Sequence, residues 1–454
     1  MKQFRLPATF PDAADFHARL QEIDPTFHCH EELVGSDGAL GQSLKWHGRE
    51  LANRWAVHPM EGWDGTEDGL PSADTLRRWR RFGQSGAALI WGGEAFAVCP
   101  MGRANPNQLH QGSHPNVGEG LKQLMAELRA GQAEAGLAAE ESWVGLQLTH
   151  SGRWSRPTAD GPAPRTMMRH EFLDEKIGIQ DDSALLSDEE LGNLPPAYAR
   201  AAGLAEAAGF DFVDIKCCHG YLLHESLAAY DRPGPYGGSF ENRTRLFREI
   251  VAAVKKACPN LAIGVRLSAT DTIDKGFADA DAFLALLEEM GIGMVNLTQG
   301  SPYYCPNLQR PAAFPPSDGT PPTRDPLFDV WHHLRVTREL KEAHPNLILV
   351  GTGYTYLQEF LPHVAEYEVA AGHVDFVGLG RMILSYPTLP QDHLEGIAMQ
   401  RKKICRTFSD CTTAPRNGMR SGCYPLDPEY RNRPEAKTVR ALRPSRKEIK
   451  GESV

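Results

Sequence analysis

Cysteine is scarce in this sequence, with nine residues among 454. Secreted folds that depend on disulfides need a far higher density, so we expect reduced thiols and a cytoplasmic protein. Basic residues are also in the minority: 48 Lys and Arg face 58 Asp and Glu, which gives a net charge of −10. That balance argues against a nucleic acid as partner.

Long hydrophobic runs are missing as well. No stretch approaches the roughly 18 apolar residues of a membrane-spanning helix, and the opening MKQFRLPATFPDAADF lacks the apolar core of a signal peptide. No G-x-G-x-x-G motif follows an early strand; the nearest segment, GTGYTY from position 351, comes late and lacks the third glycine. These absences argue against a membrane partner and against an open dinucleotide-binding sheet.

Short apolar runs alternate with amphipathic segments along most of the chain. Helical periodicity is clear in SADTLRRWRRFGQSG, with Ser72 as the N-cap, in NRTRLFREIVAAVKKA and in DADAFLALLEEMG. Continuous apolar strands between helices indicate a parallel sheet covered on both faces, and eight such units predict an α/β fold, a (β/α)8 TIM barrel. The eight apolar runs lie at 54–60, 88–93, 143–148, 210–216, 261–267, 293–299, 347–353 and 375–381.

The barrel is predicted over residues 46–403. Residues 1–45 precede its first strand and are expected to cap its lower end, and residues 404–454, which contain several Cys, Pro, Arg and Lys, are expected to form a partly ordered tail. The proline-rich stretch 299–326 is expected to form a long loop over the barrel mouth.

Barrel enzymes carry their active sites at the carboxyl ends of the strands. The polar residues there are mostly hydrogen-bond donors, and no two carboxylates obviously pair, which argues against a glycosidase. The last two units, VGTGYT and GLGRMIL, place glycines where strand meets helix, so backbone N–H groups and Arg381 could hold a phosphate. One glycine pair alone would more often mean only a tight turn.

Seven segments occur in a characteristic order and spacing: NRWAVHPMEG, LIWGGEAFAV, GLQLTHSGR, AGFDFVDIKCCHGYLLHE, YGGSFENRTRLFREIV, VRLSATD and GLGRMIL. Together they resemble the old yellow enzyme family of FMN-dependent ene-reductases and related flavin oxidoreductases. The resemblance runs from about residue 45 to about residue 400. It implies that FMN lies across the barrel mouth.

The resemblance also implies a flavin-binding set. Gln147 would hydrogen-bond the flavin pyrimidine, and Arg266 would lie near N1 and O2, where a cation stabilises the reduced ring. Taken alone, Arg266 would more often be part of a surface ion pair. The family's cofactor-binding positions fall on Pro59, Met60, Glu61, Ala95, Gln147, Arg266, Gly353, Gly380 and Arg381.

The catalytic positions implied by the resemblance are Lys216, His219 and Tyr221. In the family pattern, two polar residues hold the oxygen of an electron-withdrawing group, and a tyrosine protonates one carbon while hydride reaches the other. His219 matches the second polar residue and Tyr221 the proton donor. Trp63 falls where relatives place an aromatic that stacks on the substrate, so Trp63, Lys216 and His219 are the expected substrate-binding residues.

Lys216 and Glu61 depart from the family pattern, which has a histidine and commonly a Cys or Thr at these places. A lysine offers three donors and a full charge, so Lys216 could stabilise an enolate, bind a substrate carboxylate, pair with Glu61, or simply extend out of the barrel. The adjacent Cys217 and Cys218 are interpreted as packing residues. Two thiols and one histidine have no familiar zinc spacing, so no metal site is predicted.

The cysteines near the end of the chain raise a separate question. Larger relatives bind a [4Fe–4S] cluster after the barrel through C-x2-C-x3-C-x11-C. Cys411 and Cys423 keep the last spacing, but Ile404 and Thr407 occupy the first two positions and Cys405 is one place off. Such clusters usually need four thiolates, so none is expected here.

These features predict an FMN-dependent oxidoreductase. NADH or NADPH would reduce FMN, which passes hydride from N5 to the activated C=C bond of an enone or enoate, with Tyr221 as proton donor. The alternative is the oxidative demethylation or dehydrogenation of an N-methylated amine or amino acid, with electrons passed to a carrier protein. A barrel that has lost flavin is a third possibility, which Gln147, Arg266 and Arg381 together oppose. The substrate, the choice of nicotinamide and the oligomeric state stay open.

Overall fold

A computed structural model describes residues 4–443. Its strands are β1 Leu44–Trp46, β2 Arg49–Leu51, β3 Trp55–Val57, β4 Leu89–Ile90, β5 Ala95–Ala97, β6 Trp143–Thr149, β7 Phe212–Cys217, β8 Ala262–Ser268, β9 Met294–Thr298, β10 Ile348–Gly351 and β11 Phe376–Leu379. Eight of them, β3, β4 and β6 to β11, pair in parallel with their neighbours, and β11 returns to β3 to close the ring. The predicted (β/α)8 TIM barrel is confirmed.

Helices connect successive barrel strands and cover their outer face. The helices are α1 Ala13–Ile23, α2 Ala73–Gly83, α3 Val117–Glu134, α4 Glu171–Ile177, α5 Asp188–Gly192, α6 Pro195–Ala207, α7 Leu222–Leu227, α8 Phe240–Ala257, α9 Ala280–Glu289, α10 Pro306–Gln309, α11 Leu327–Ala343, α12 Leu361–Ala370, α13 Arg381–Ser385, α14 Leu389–Leu394, α15 Asp410–Arg416, α16 Pro428–Arg431 and α17 Glu435–Ala441. None of the described helices has the length and apolar character needed to cross a bilayer.

Helix α2 shows why these segments are helical. The Ser72 side chain accepts hydrogen bonds from the backbone N–H groups of Asp74 and Thr75, as predicted for an N-cap. Trp79 and Phe82, three residues apart, lie on one face and are buried. Helix α9 ends as predicted just before Gly291, which adopts φ = 68° and stops the helix.

The second barrel strand is interrupted, which the sequence did not reveal. Strand β4 pairs with the start of β6, the chain then bulges, and β5 pairs with the end of β6. Gly92 and Gly93 make the bulge with φ values of 142° and 39°. A Cβ atom on Gly93 would lie 2.9 Å from the Trp79 ring, so the bulge requires glycine there.

The lower end of the barrel is covered by a hairpin, and not by the whole N-terminal region as expected. Strands β1 and β2 place Trp46 and Leu51 against the aromatic floor formed by Trp91, Trp143 and Phe212. The described residues before the hairpin instead follow the outer helices: Phe16 stacks on Phe360 at 4.2 Å and Phe27 on Trp331 at 4.9 Å. The outer helices bury the apolar side chains of Phe16 and Phe27 more fully than the narrow floor of the barrel would.

The C-terminal segment, residues 404–443, is ordered and packs on the barrel mouth. It has a small core of its own, built on Ala414, Tyr424, Tyr430, Ala436 and Val439. Two buried carboxylates tie it to α2: Asp427 of the segment accepts two hydrogen bonds of 2.9 Å from Arg77, and Asp74 of α2 pairs with Arg433. The rest of the expected tail, 444–454, lies outside the described residues.

Candidate active site

A cavity of about 680 Å³ opens at the carboxyl ends of the barrel strands. That volume is within the range of small-molecule and cofactor sites. Its walls come from strand ends, from the loop that follows β9 and from the C-terminal segment. The loop was expected to cover the mouth, but the part played by the C-terminal segment was not foreseen.

The structure brings nearly all of the predicted residues to this cavity. Ala95 is the exception: it is fully buried in β5 beside Gln147 and does not line the cavity, because the bulge turns β5 into the sheet. The predicted residues that do line it are Pro59, Met60, Glu61, Trp63, Gln147, Lys216, His219, Tyr221, Arg266, Gly353, Gly380 and Arg381.

At one end of the cavity a buried network orients Gln147 and Arg266. The Asp214 carboxylate accepts 2.6 Å and 2.7 Å hydrogen bonds from Gln147 Nε2 and the Arg266 backbone N–H. The Gln147 carbonyl oxygen is thereby left for a ligand. Burial raises the pKa of Asp214 to about 6, although its hydrogen bonds oppose that shift.

Arg266 carries a charge that the protein leaves uncompensated at close range. One guanidinium nitrogen donates to the Pro59 carbonyl at 3.3 Å, and the buried Nε has no partner among the described residues. Burial lowers the pKa of Arg266, as expected for a cation held away from water. A ring edge that carries both an N–H group and carbonyl oxygens would satisfy the acceptor of Gln147 and the donors of Arg266.

At the other end, glycines and two arginines could hold an anion. Gly353 has φ = 103°, and a Cβ on Gly380 would meet no atom within 4 Å, so the backbone is open to the cavity. Arg381 donates to the Pro311 carbonyl at 2.7 Å, and Arg310 donates to Thr412. The buried Nε of Arg310 has no partner among the described residues, and its burial near Arg416 and Arg381 lowers the pKa of Arg310 to about 9.

These two ends fit FMN. A pyrimidine offers an N–H to the Gln147 oxygen and carbonyl oxygens to Arg266, and a phosphate matches the backbone and the arginines at the far end. The fit rests on unsatisfied donors and open backbone that the protein itself does not use.

A buried charge network fixes the loop that carries Met60 and Glu61. Arg78 donates to Asp64 at 2.9 Å and to Glu94 at 2.5 Å, and it also reaches the Met60 carbonyl at 3.4 Å. Glu94, placed by the glycine bulge, accepts the Gly62 backbone N–H at 2.9 Å. The bulge therefore positions the cavity wall as well as the strand.

His219 is held in a strained conformation. Its φ of 66° is left-handed, which costs a non-glycine residue about 1–3 kcal/mol and is usual at functional sites. Ser268 accepts its backbone N–H, Ser301 donates to its carbonyl at 2.8 Å, and Gln309 contacts Nε2 at 3.1 Å. Burial, reinforced by Arg266 and Lys216, keeps the pKa of His219 well below its usual value, so the ring is neutral.

Tyr221, Glu61 and Lys216 meet on one wall of the cavity. The Tyr221 hydroxyl donates to Glu61 at 2.7 Å and lies 3.4 Å from the Tyr303 hydroxyl. Lys216 Nζ lies 3.8 Å from the Tyr221 ring centroid and 3.8 Å from a Glu61 oxygen. Burial raises the pKa of Tyr221 well above its usual value and lowers that of Lys216, with Glu61 opposing the second shift.

The cysteines near the site are buried thiols. Cys217 and Cys218 are fully buried, consistent with a packing role. Burial raises the pKa of Cys405 to about 11 and that of Cys423 well above its usual value. Cys411 lines the cavity beside Thr412.

Several functional residues escaped the sequence reasoning. Arg310 and Gln309 belong to the loop after β9, and Ser421 accepts the Trp63 backbone N–H at 3.0 Å from the C-terminal segment. Arg156 lies over Trp63, 5.9 Å from its ring. Tyr303 and Tyr304 also line the cavity, and as adjacent aromatics in a loop over the mouth they could be suspected from the sequence as residues that overhang the pocket.

Comparison with known proteins identifies the family of the chain. Residues 42–400 match the model of the NADH:flavin oxidoreductase / NADH oxidase family. The chain belongs to that family. The NADPH dehydrogenase of Bacillus subtilis (strain 168) is 32% identical over 258 residues, 55% of this chain and 70% of the relative. The NADPH dehydrogenase of Bacillus pumilus (strain SAFR-032) is 31% identical over 261 residues, 56% of this chain and 71% of that protein.

Family membership makes the chain an FMN-dependent oxidoreductase, and the resemblance to the old yellow enzyme family is confirmed. Solved structures share the fold at lower identity. A complex of 2-naphthoyl-CoA reductase with 2-naphthoyl-CoA superposes with a TM-score of 0.68 at 19% identity, and histamine dehydrogenase from Rhizobium sp. 4-9 with 0.64 at 20%. They cover 87% and 86% of this chain, which spans 57% and 52% of theirs.

Proposed function

We propose that the protein reduces an activated carbon–carbon double bond. Bound FMN, reduced by NADPH or NADH, supplies the hydride from N5. The observation that carries the proposal is the wall on which Tyr221 presents a hydroxyl beside the donors of Lys216 and His219. We further propose that the enzyme acts in the cytoplasm on a small-molecule substrate.

The donors of Lys216 and His219 bind the oxygen of the substrate's electron-withdrawing group. Lys216 Nζ is 3.8 Å from Glu61, which is beyond hydrogen-bond distance, so its N–H groups are available. A cation at this place stabilises negative charge that develops on the oxygen as hydride reaches the β-carbon. The neutral His219 ring adds a second donor for the same oxygen. Gln309 contacts Nε2, so Nδ1 is left for the substrate.

Tyr221 gives the proton to the other carbon. Its raised pKa keeps the hydroxyl protonated at neutral pH, and Lys216 beside the ring stabilises the phenolate left after transfer. Glu61 is partly exposed and accepts the Tyr221 hydroxyl hydrogen bond, so it links the tyrosine to solvent for reprotonation.

Oxidation of an N-methylated amine is the second candidate. One observation favours it: the Glu61 carboxylate near the stacked rings of Trp154 and Tyr303 would suit a cationic amine. Lys216 opposes it, because it places a positive charge on the same wall. The geometry therefore favours reduction of a double bond.

The test is an anaerobic visible spectrum of the purified protein before and after NADPH or NADH, followed by addition of 2-cyclohexenone. Bleaching of the flavin by a nicotinamide and its return with the enone are the expected results. Bleaching by an N-methyl amino acid, with no response to either nicotinamide, would favour amine oxidation. A purified protein that contains no flavin and takes up none would contradict both candidates.

A further inference from the structure

The cavity is strongly cationic. Nine basic side chains line it and only two acidic ones among the described residues, Glu61 and Asp318. Those two acids are engaged, since Glu61 lies in salt-bridge contact with Lys216 and Asp318 with Arg416. Two further cations, Arg78 and Arg153, pair with buried carboxylates behind the wall.

Five basic residues lining the cavity have no carboxylate in salt-bridge contact among the described residues: Arg156, Lys176, Arg266, Arg310 and Arg381. FMN accounts for three of them. Arg266 would face the pyrimidine, and Arg310 and Arg381 would hold the phosphate. Arg156, which is half-buried, and Lys176, which is exposed at the rim, are left over.

Arg156 and Lys176 belong to one part of the cavity, which we call the outer arm. Its walls are the lining residues Trp63, Trp154, Arg156, Phe172, Lys176 and Ile177. The backbone N–H of Arg156 donates to the Arg103 carbonyl at 2.8 Å, which fixes the base of the side chain. Its buried Nε has no partner among the described residues, and its guanidinium lies 5.9 Å from the Trp63 ring centroid.

The one buried carboxylate of α4 is already occupied. Asp174 of α4 is buried and pairs with Arg153 and Arg169, so it is not available to neutralise Lys176 two residues further on. Phe172, on helix α4, is 50% exposed, although phenylalanine side chains are more often buried. The outer arm thus offers apolar walls and two free cations.

We propose that the outer arm binds an anionic group of the substrate, a carboxylate or a phosphate, at a distance from the reacting double bond. The proposal rests on the proposed function for the place of FMN and of the reacting bond. A planar guanidinium binds either anion through two parallel hydrogen bonds, and the aromatic walls hold the part of the substrate between the two ends. The substrate class is therefore an acyl or enone compound with a remote negative charge.

The experiment measures binding to the flavin-loaded enzyme by titration calorimetry. The ligands are 4-(3-oxobut-1-enyl)benzoate, its methyl ester and the corresponding aryl phosphate, which share the enone and differ in the remote charge. We expect the carboxylate, the phosphate or both to bind about tenfold more tightly than the ester, a gain that falls as salt is added. The anion with the larger gain identifies the natural group.

Variants separate the outer arm from general charge effects. Arg156→Gln is expected to abolish the gain, Arg156→Lys to keep part of it, and Lys45→Gln, on exposed β1 at the opposite end of the barrel, to leave it unchanged. If Arg156→Gln fails to fold, Lys176→Gln is the second variant, and it is expected to reduce the gain in affinity of the anionic ligands. The proposal is overturned if the ester binds as tightly as both anions, if the gain survives in both glutamine variants, or if no compound binds.

This binding measurement needs no turnover. Charge-selective binding without reduction of the double bond would contradict the proposed function and sustain the anion site. Reduction of 2-cyclohexenone without charge-selective binding would sustain the proposed function and contradict the anion site.

Discussion

At the residue scale, the site depends on side chains whose roles are set by a few contacts. Tyr221 is poised by Glu61 and Lys216, and Gln147 is oriented by Asp214. The contact between Glu61 and Tyr221 joins the loops after β3 and β7, and the contact between Gln147 and Asp214 joins β6 and β7. Single substitutions therefore test them directly.

Replacing Tyr221 by Phe should slow double-bond reduction about 10²- to 10⁴-fold, because the proton donor is lost. Reduction of the flavin by NADPH or NADH should stay within about twofold, since that step needs no proton from the tyrosine. Stopped-flow absorbance of the flavin separates the two half-reactions. Tyr236→Phe, which removes a hydroxyl bonded to Glu249 away from the cavity, is the matched control. An unimpaired second half-reaction in Tyr221→Phe would remove the tyrosine from the mechanism.

Asp214 makes FMN binding depend on pH. Above about pH 6 its carboxylate accepts from Gln147 and leaves the amide oxygen for the flavin; below that pH it becomes protonated and this orientation weakens. The FMN dissociation constant should therefore rise as the pH falls from 7.5 to 5. In Asp214→Asn, FMN should bind about tenfold more weakly at pH 7.5, and the part of the pH dependence that comes from Asp214 should be missing.

The flavin phosphate also ionises near pH 6, so the difference between the two proteins is the quantity to measure. Fluorescence titration of the flavin-free proteins provides it. Parallel pH curves for wild type and Asp214→Asn would show that Asp214 does not control the amide. Because of the raised pKa, the native state binds this proton more tightly than the unfolded chain does. The contribution of Asp214 to the free energy of unfolding therefore falls as the pH rises from about 4 to about 6.

At the element scale, the interrupted second strand links fold and site. The bulge at Gly92 and Gly93 aims Glu94 at the loop that carries Met60 and Glu61. Gly93→Ala should destabilise the protein by about 1–3 kcal/mol, because the new methyl group meets the Trp79 ring in addition to the backbone strain.

Urea unfolding of Gly93→Ala measures that cost. Gly209→Ala isolates the backbone contribution, because Gly209 also has a positive φ of 87° but a Cβ there meets no atom within 4 Å. Gly93→Ala should lose more stability than Gly209→Ala and also bind FMN more weakly. Equal losses in the two variants would mean that the contact with Trp79 costs nothing.

At the scale of the whole molecule, the C-terminal segment completes the cavity. Asp427 is 2% exposed and accepts both hydrogen bonds from Arg77 of α2. Asp427→Asn should weaken the docking of residues 404–443 by about 1–3 kcal/mol, since a buried charge-assisted pair is broken. Hydrogen exchange should then speed up in this segment and not in the barrel strands, and the KM for substrate should rise.

Glu429→Gln is the control for that variant, because Glu429 forms only an exposed pair with Arg433 four residues away. It should leave exchange in the segment unchanged. Faster exchange spread evenly over barrel and segment would indicate general destabilisation and contradict a separate docking step.

The sequence by itself determined the barrel and, for most of the predicted site residues, their place at its mouth. Alternating apolar strands and amphipathic helices repeat locally, and motifs such as DIKCCHGY and GLGRMIL keep their predicted site residues within a few positions of a strand end. Gln147, Arg266, Tyr221 and Arg381 could be placed at the mouth because the carboxyl ends of parallel strands converge there.

Only the tertiary structure decided which residues surround Gln147, Arg266, Tyr221 and Arg381. The contact between Trp63 and Ser421 joins residues 358 positions apart, and no local periodicity marks either of them as a partner of the other. Arg156 and Arg310 lie in irregular loops, whose path depends on the groups they pack against and not on a repeating pattern. Whether a cation is paired is a property of the packed molecule, so the surplus charge of the cavity could be counted only there.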